Sequence, residues 1–228
     1  MLHSLSNNIF MSLPILYSFR RCPYAMRARL GILLSHQSVS LKEIILKHKP
    51  ESMLNASPKG TVPVLILTNS HVIDESLDIM FWALNQSDPQ QILPKDQQQI
   101  DITHTLIRQN DTTFKPWLDK YKYADRHPEH SATEYRQQAE QFIFQLETQL
   151  TISAQLLGES ASLADYAIFP FIRQFAHVDV NWFNQAPYPN TRSWLNNHIE
   201  SQYFTSAMKK YPLWLDSQQM FTFGDTRP

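Results

Sequence analysis

Residues Leu13 to Ser35 read LPILYSFRRCPYAMRARLGILLS, and the change of pattern inside this stretch decides the fold. Leu13 to Phe19 is short, apolar and aromatic, the pattern of a buried strand. From Cys22 to Ser35 the apolar residues Met26, Leu30, Leu33 and Leu34 fall at i, i+4, i+7 and i+8, one face of a helix. Pro23 suits the first helical position, because its missing N–H would have had no partner there. Cys22 therefore stands at a helix N-terminus, facing free N–H groups and the positive end of the peptide dipole. Such a place lowers a thiol's pKa, with Arg20 and Arg21 as nearby cations. The alternative is one more small buried residue, a common fate of free cysteine. A position just ahead of a helix-opening proline favours reaction.

Downstream, Val39 to Leu46 is β-branched and apolar, a second strand that a strand–helix–strand unit makes parallel to the first through a right-handed crossover. Val64 to Leu67, the turn Thr68-Asn69-Ser70 and Val72-Ile73 read as an antiparallel hairpin. A helix then opens near Glu75-Ser76 and carries Ile79, Phe81, Trp82 and Leu84. Asn85 to Gln99 is polar, holds two prolines and reads as a linker. Beyond it the period is helical. One long helix runs from Ile100 to Tyr121 with Asn110 as a polar exception on its apolar face. A second carries Tyr135, Ala139, Phe142, Leu146 and Leu150, and a third opens at the capping box Ser162-Leu-Ala-Asp165. Trp194 and Trp214 pack further helices. The expected organisation is a flexible extension over 1–11, an α/β domain over 12–85, a linker over 86–98 and an all-helical domain over 99–228.

Bulk properties narrow the function. With 43% hydrophobic and 18% charged residues the 228-residue chain is globular, and its net charge of −1 leaves no electrostatic footprint for nucleic acid or an anionic membrane. The single cysteine excludes an internal disulfide and suits a reducing, cytoplasmic setting. No apolar run approaches the roughly 20 residues that span a bilayer, and Met1 to Leu13 lacks the pattern of a signal peptide. His127-Pro-Glu-His130 has a ligand-like spacing, but its charged, proline-interrupted context and the want of a third ligand speak against a metal. The four glycines, at 31, 60, 158 and 224, form no phosphate loop.

Two further motifs bear on chemistry. In Gly60-Thr61-Val62-Pro63-Val64, Pro63 directly precedes a strand. A cis bond there leaves the backbone of Val62 free to pair with an extended peptide; a trans proline opening an edge strand fits equally well. Asp74-Glu75-Ser76 lies at the mouth of a helix. Ser76 with the helix N-terminus suits a carboxylate and Glu75 suits an ammonium, together the two charges of an α-amino acid; simple N-capping explains the same residues.

The ordered set, Cys22-Pro23-Tyr24-Ala25, Val62-Pro63 before the third strand, Glu75-Ser76 before the third helix and a helical second half, resembles the glutathione transferases. It is most similar to the omega class and the glutaredoxin-like members, which carry a Cys-Pro-aromatic-Ala site. The resemblance implies a thioredoxin-like βαβ-α-ββα domain followed by a helical bundle, α/β then all-α. It implies Cys22 as the nucleophile that forms a mixed disulfide with glutathione, and Val62 ahead of a cis Pro63 as the backbone partner of the tripeptide. Glu75 and Ser76 hold its γ-glutamyl end, Lys49 its glycyl carboxylate, and Tyr24 lines the pocket; Lys47 and His48 are basic rivals to Lys49. Ala25 stands where dithiol relatives have a second cysteine, so a second glutathione must resolve the intermediate. The implied activity is a glutathione-dependent thiol oxidoreductase acting on small disulfides or dehydroascorbate-like oxidants, with glutathione as co-substrate, no metal, and a homodimer as the usual assembly. Conjugation of glutathione to electrophiles is the first alternative, and a non-catalytic binding protein of the same fold the second.

Overall fold

The computed structural model describes residues 12–224, so the expected extension over 1–11 lies outside the described residues. The first half forms β1 (Ile15–Ser18), α1 (Pro23–Leu34), β2 (Val39–Glu43), α2 (Glu51–Ala56), β3 (Val64–Ile66), β4 (Val72–Ile73) and α3 (Ser76–Gln86). β1 and β2 pair in parallel, Leu16 opposite Leu41. β3 runs antiparallel to β1, Leu16 opposite Leu65, and forms the hairpin with β4. This is the expected βαβ-α-ββα order.

The helical half comprises α4 (Gln97–Gln109), a π-turn over Asn110–Phe114, α5 (Lys115–Lys122), a 3₁₀ turn over Ala124–Arg126, α6 (Ala132–Leu150), α7 (Leu163–Ala176), α8 (Val180–Gln185), α9 (Pro189–Glu200), α10 (Gln202–Ala207) and α11 (Trp214–Ser217). The single long helix expected from Ile100 to Tyr121 is thus interrupted at its polar exception. Asn110 is fully buried and donates from Nδ2 to Asp111 Oδ1 at 2.7 Å, and Asp111, in the same widened turn, reaches Arg27 of α1.

The all-helical expectation for 99–228 fails at one place. A final strand, β5 (Phe221–Phe223), pairs antiparallel with β2, giving the sheet order β4-β3-β1-β2-β5. Three residues are too short a run to signal a strand; what fixes them is the open edge of β2 and a buried slot for Phe223.

α1 departs from the amphipathic reading as well. Every residue of it except Tyr24 is buried, because the sheet, α3, α7 and α10 surround it. Gly31 lets α3 approach so closely that a Cβ there would stand 2.7 Å from Met80 Cα. Residues 87–96, read as linker, are pinned. Asp88 accepts from the Ile92 and Leu93 N–H groups at 3.0 and 2.9 Å, and Ile92 C=O accepts from Leu163 N–H at 2.8 Å. Asp165, the carboxylate of the expected capping box, is fully buried. It accepts from Ser162 N–H and O–H, Leu156 N–H and Trp194 Nε1–H, tying α7 to α9.

Candidate functional site

Cys22 caps α1 in extended conformation with Pro23 at the first helical position, as its sequence setting predicts. Its Sγ makes a long contact, 3.9 Å, to the carbonyl oxygen of Val62. The Val62–Pro63 peptide is cis. Val62 precedes β3 and lies outside its paired register. A small second core of Tyr17, Ala25, Ile44, Met53, Val62 and Val64 packs beneath the sulfur.

The electrostatics of the thiol differ from the expectation. Burial dominates and pushes its pKa above the ordinary value; the N–H groups of Ala25 and Tyr24 and the charges of Lys115 and Lys122 oppose it without prevailing. Arg20 and Arg21 are not the cations that act on it. The Arg20 backbone N–H donates to Glu43 at 2.8 Å and Nη1 reaches Met208 O at 3.5 Å, while Arg21 lies over the Phe19 ring. Lys115 and Lys122 come from the helical half, so nothing near Cys22 in the sequence could have announced them.

Tyr24 meets Phe171 edge to face at 4.8 Å and lies within reach of Arg27 and Lys115. Burial first, then the Asp111 carboxylate, push its phenol up to about 12, so it stays protonated and lines the site. Ser76 opens α3, buried, and its Oγ accepts from Arg27 Nη1 at 3.3 Å. Glu75 stands at the N-cap but makes no side-chain cap; its exposed carboxylate pairs with Lys59 instead. Asp74 accepts from Ser57 Oγ at 2.6 Å. Lys49 is half-buried, its Nζ directed at Gly60, two residues before Val62. The structure therefore gathers Cys22, Tyr24, Val62 and Pro63 at the start of α1, and puts Glu75 and Ser76 at the start of α3.

Arg27 is the residue that sequence reading missed. It is 1% exposed, forms a bidentate pair with Asp111 at 2.7 and 2.8 Å, and donates from Nε to Ala167 O at 2.9 Å. A charge inside an apolar helix, and the polar Asn110-Asp111 pair inside another, were the available signals. Among the described residues no group of three His, Cys, Asp or Glu side chains is arranged for a metal; His127 and His130 instead pack around the Tyr135 ring.

Residues 16–91 match the family description "Glutathione S-transferase, N-terminal domain", and residues 101–202 match "Glutathione S-transferase, C-terminal domain". The chain belongs to the glutathione S-transferase family. It is 26% identical over 167 residues to glutathione S-transferase omega-1 of Rattus norvegicus, covering 72% of this chain and 68% of that one. Among solved structures it resembles a glutathione transferase family member from Pseudomonas fluorescens with two glutathione molecules bound. That likeness has a TM-score of 0.75 at 16% identity, over 89% of this chain and 95% of the other. It also resembles a glutathione S-transferase from Methylobacillus flagellatus with glutathione bound, with a TM-score of 0.74 at 19% identity over 86% of this chain and all of the other. These structural likenesses bear on the fold. Within this glutathione S-transferase fold, the described residues include no helix long and apolar enough to cross a membrane.

Proposed function

We propose that the chain is a glutathione-dependent thiol oxidoreductase of the reducing cytoplasm, with Cys22 as nucleophile. The observation that carries this is the placing of the chain's single cysteine at the N-terminus of α1, its sulfur beside the Val62 carbonyl. The Cys22 thiolate attacks the glutathionyl sulfur of a mixed disulfide; the new S–S bond forms as the old one breaks, and the co-substrate leaves as a thiolate that takes up a proton. A second glutathione thiolate then attacks the Cys22–glutathione disulfide, releasing oxidised glutathione and restoring the Cys22 thiolate. Two tripeptides are required because Ala25 cannot supply a resolving sulfur. The omega-1 relatives and a structural neighbour holding two glutathione molecules support this reading.

In this arrangement the backbone of Val62, ahead of Pro63, pairs with the tripeptide, and Lys49 meets its glycyl carboxylate. Ser76, whose oxygen accepts from Arg27, keeps its own O–H to donate to the γ-glutamyl carboxylate. Glu75 receives the ammonium after Lys59 swings away; an exposed ion pair of this kind contributes at most about 1 kcal/mol and yields readily. A second copy of the chain is the expected partner. Exposed Ile102 and Ile152, which line an open cavity of 680 Å³ along α4 and α6, support that assembly.

The test is glutathione-dependent reduction of a small model disulfide by wild type and by Cys22→Ser. Activity is expected to vanish with the thiol. A variant that keeps its rate overturns the reading. The raised thiol pKa favours one second reading, conjugation of glutathione to an electrophile with Cys22 only orienting the tripeptide. Conjugating activity that survives Cys22→Ser is its signature.

A further inference from the structure

A cavity of 470 Å³ opens between the turn that follows β1, the end of α5, the C-terminal half of α7 and Met208. Its wall carries Arg20, Arg21, Lys122 and Arg173 together with Gln174 and His177. The chain links it to Cys22: Arg21 precedes Cys22, and Met26, also in the wall, lies one helical turn on and donates its N–H to Cys22 O at 2.9 Å. Among the described residues, no carboxylate makes an ion pair with any of these four cations. Their contacts are aromatic or backbone: Lys122 over Tyr123, Arg173 over Phe204, Arg20 to Met208 O.

Like charges gathered without a counter-charge repel one another. On an open surface water screens the repulsion and the arrangement means little. Here part of the cluster is dry. Arg173 Nε is a buried donor with no acceptor, and the neighbouring Gln174 Oε1 is a buried acceptor with no donor. Buried polar atoms are nearly always paired, so two orphans in one wall mark a place where a further group belongs. Burial and the nearby Arg20 charge disfavour the charged form of Arg173, which an incoming anion would relieve. His177 adds no charge at neutral pH, since burial and Arg173 hold it below its ordinary value.

We propose that this cavity selects co-substrates that carry a carboxylate, Arg173 and Arg20 receiving the anion and Gln174 taking an O–H or N–H beside it. The proposal rests on Cys22 being the reacting thiol. A carboxylate could reach the cavity on the co-substrate or on the resolving glutathione; none of Lys49, Val62, Glu75 and Ser76, the residues proposed to hold the tripeptide, lines it, which assigns it to the co-substrate.

The single thiol permits a test that needs no turnover. Alkylation of Cys22 by anionic iodoacetate and by neutral iodoacetamide is followed by mass spectrometry, and the ratio of the two rates cancels the thiolate fraction. Relative to a neutral cysteine amide, the wild-type ratio is expected to favour iodoacetate by about ten-fold, and by less as salt is added. Arg173→Gln and, separately, Arg20→Gln should each lower it several-fold. A wild-type ratio equal to the free amide's, or one untouched by both substitutions, overturns the proposal.

Turnover then separates this result from the broader reading. Mixed disulfides of glutathione with 3-mercaptopropionate, 2-mercaptoethanol and cysteamine share one half and a two-carbon arm, and end in an anionic, a neutral and a cationic group. The expected order of kcat/KM is anionic, neutral, cationic, flattened in Arg173→Gln through KM for the disulfide. Equal rates for all three overturn charge selection while leaving thiol exchange standing. No turnover at all, beside an intact alkylation ratio, overturns thiol exchange and leaves the anion site. A change confined to KM for glutathione moves the cavity to the resolving tripeptide and overturns the assignment made here.

Discussion

The sulfur of Cys22 experiences two opposed influences, a dense surround that favours the neutral thiol and N–H groups with two lysines that favour the thiolate. Burial is the larger. Only the thiolate is nucleophilic, so alkylation of the ligand-free protein by iodoacetamide is expected to be slower at pH 7 than that of a free cysteine and to climb with pH through the alkaline range. Lys115→Gln removes a charge that favours the thiolate and should move the profile further to alkaline pH. A profile centred below that of free cysteine would show the opposite balance. The place of Cys22 was legible because proline and cysteine are local signals. Its ionisation was not, because the lysines that matter lie about a hundred residues away, and neither Arg20 nor Arg21 is turned to this task. The same holds for Glu75, whose carboxylate meets Lys59 across a loop, and for Arg27, whose partner Asp111 sits on another helix.

At the level of elements, periodicity identified α1, the β3–β4 hairpin, α6 and α7, and missed what crowding does to them. α1 reads as one-faced yet is enclosed, with Arg27 and Arg29 turned inward onto Asp111 and Glu43. Gly31 illustrates the conflict between propensity and packing. In a free helix Gly31→Ala is favourable by about 1 kcal/mol. Here the added methyl meets Met80 Cα, main chain that cannot rotate aside. Overpacking of this kind costs about 1–3 kcal/mol. The variant is expected to unfold at lower urea than wild type, and an unchanged or higher midpoint would mean that α3 slides away freely. The π-turn at 110–114 follows the same logic. A buried asparagine in an apolar stripe and Pro116, which cannot donate to the preceding turn, were the visible irregularities, and the helix widens between them.

For the whole molecule, the two-part architecture was readable because strand runs alternate with helical ones before residue 85 and long helical periods follow residue 100. The return of the chain to the sheet was not, since β5 is three residues long and owes its form to the edge it covers. Its docking depends on Gly224, whose φ of +124° and approach to Gln37 leave no room for a side chain: a Cβ would stand 1.8 Å from Gln37 O. Gly224→Ala is therefore expected to detach β5, expose Phe223 and β2, lower the thermal midpoint by several degrees and open the preceding segment to limited proteolysis. A protease-resistant variant with an unchanged midpoint would show that the strand contributes nothing.

The pairing of β5 with β2 also sets an order in time. During synthesis β2 emerges with one neighbour, and its other side waits until residue 223 has left the ribosome. At about 5–20 residues per second, the intervening stretch of nearly 180 residues takes roughly ten to forty seconds. Through that interval the nascent sheet carries an open edge, and whatever shields newborn chains in the cell must cover it. Completion of this sheet is tied to the synthesis of residues 221–223 rather than to that of the first domain.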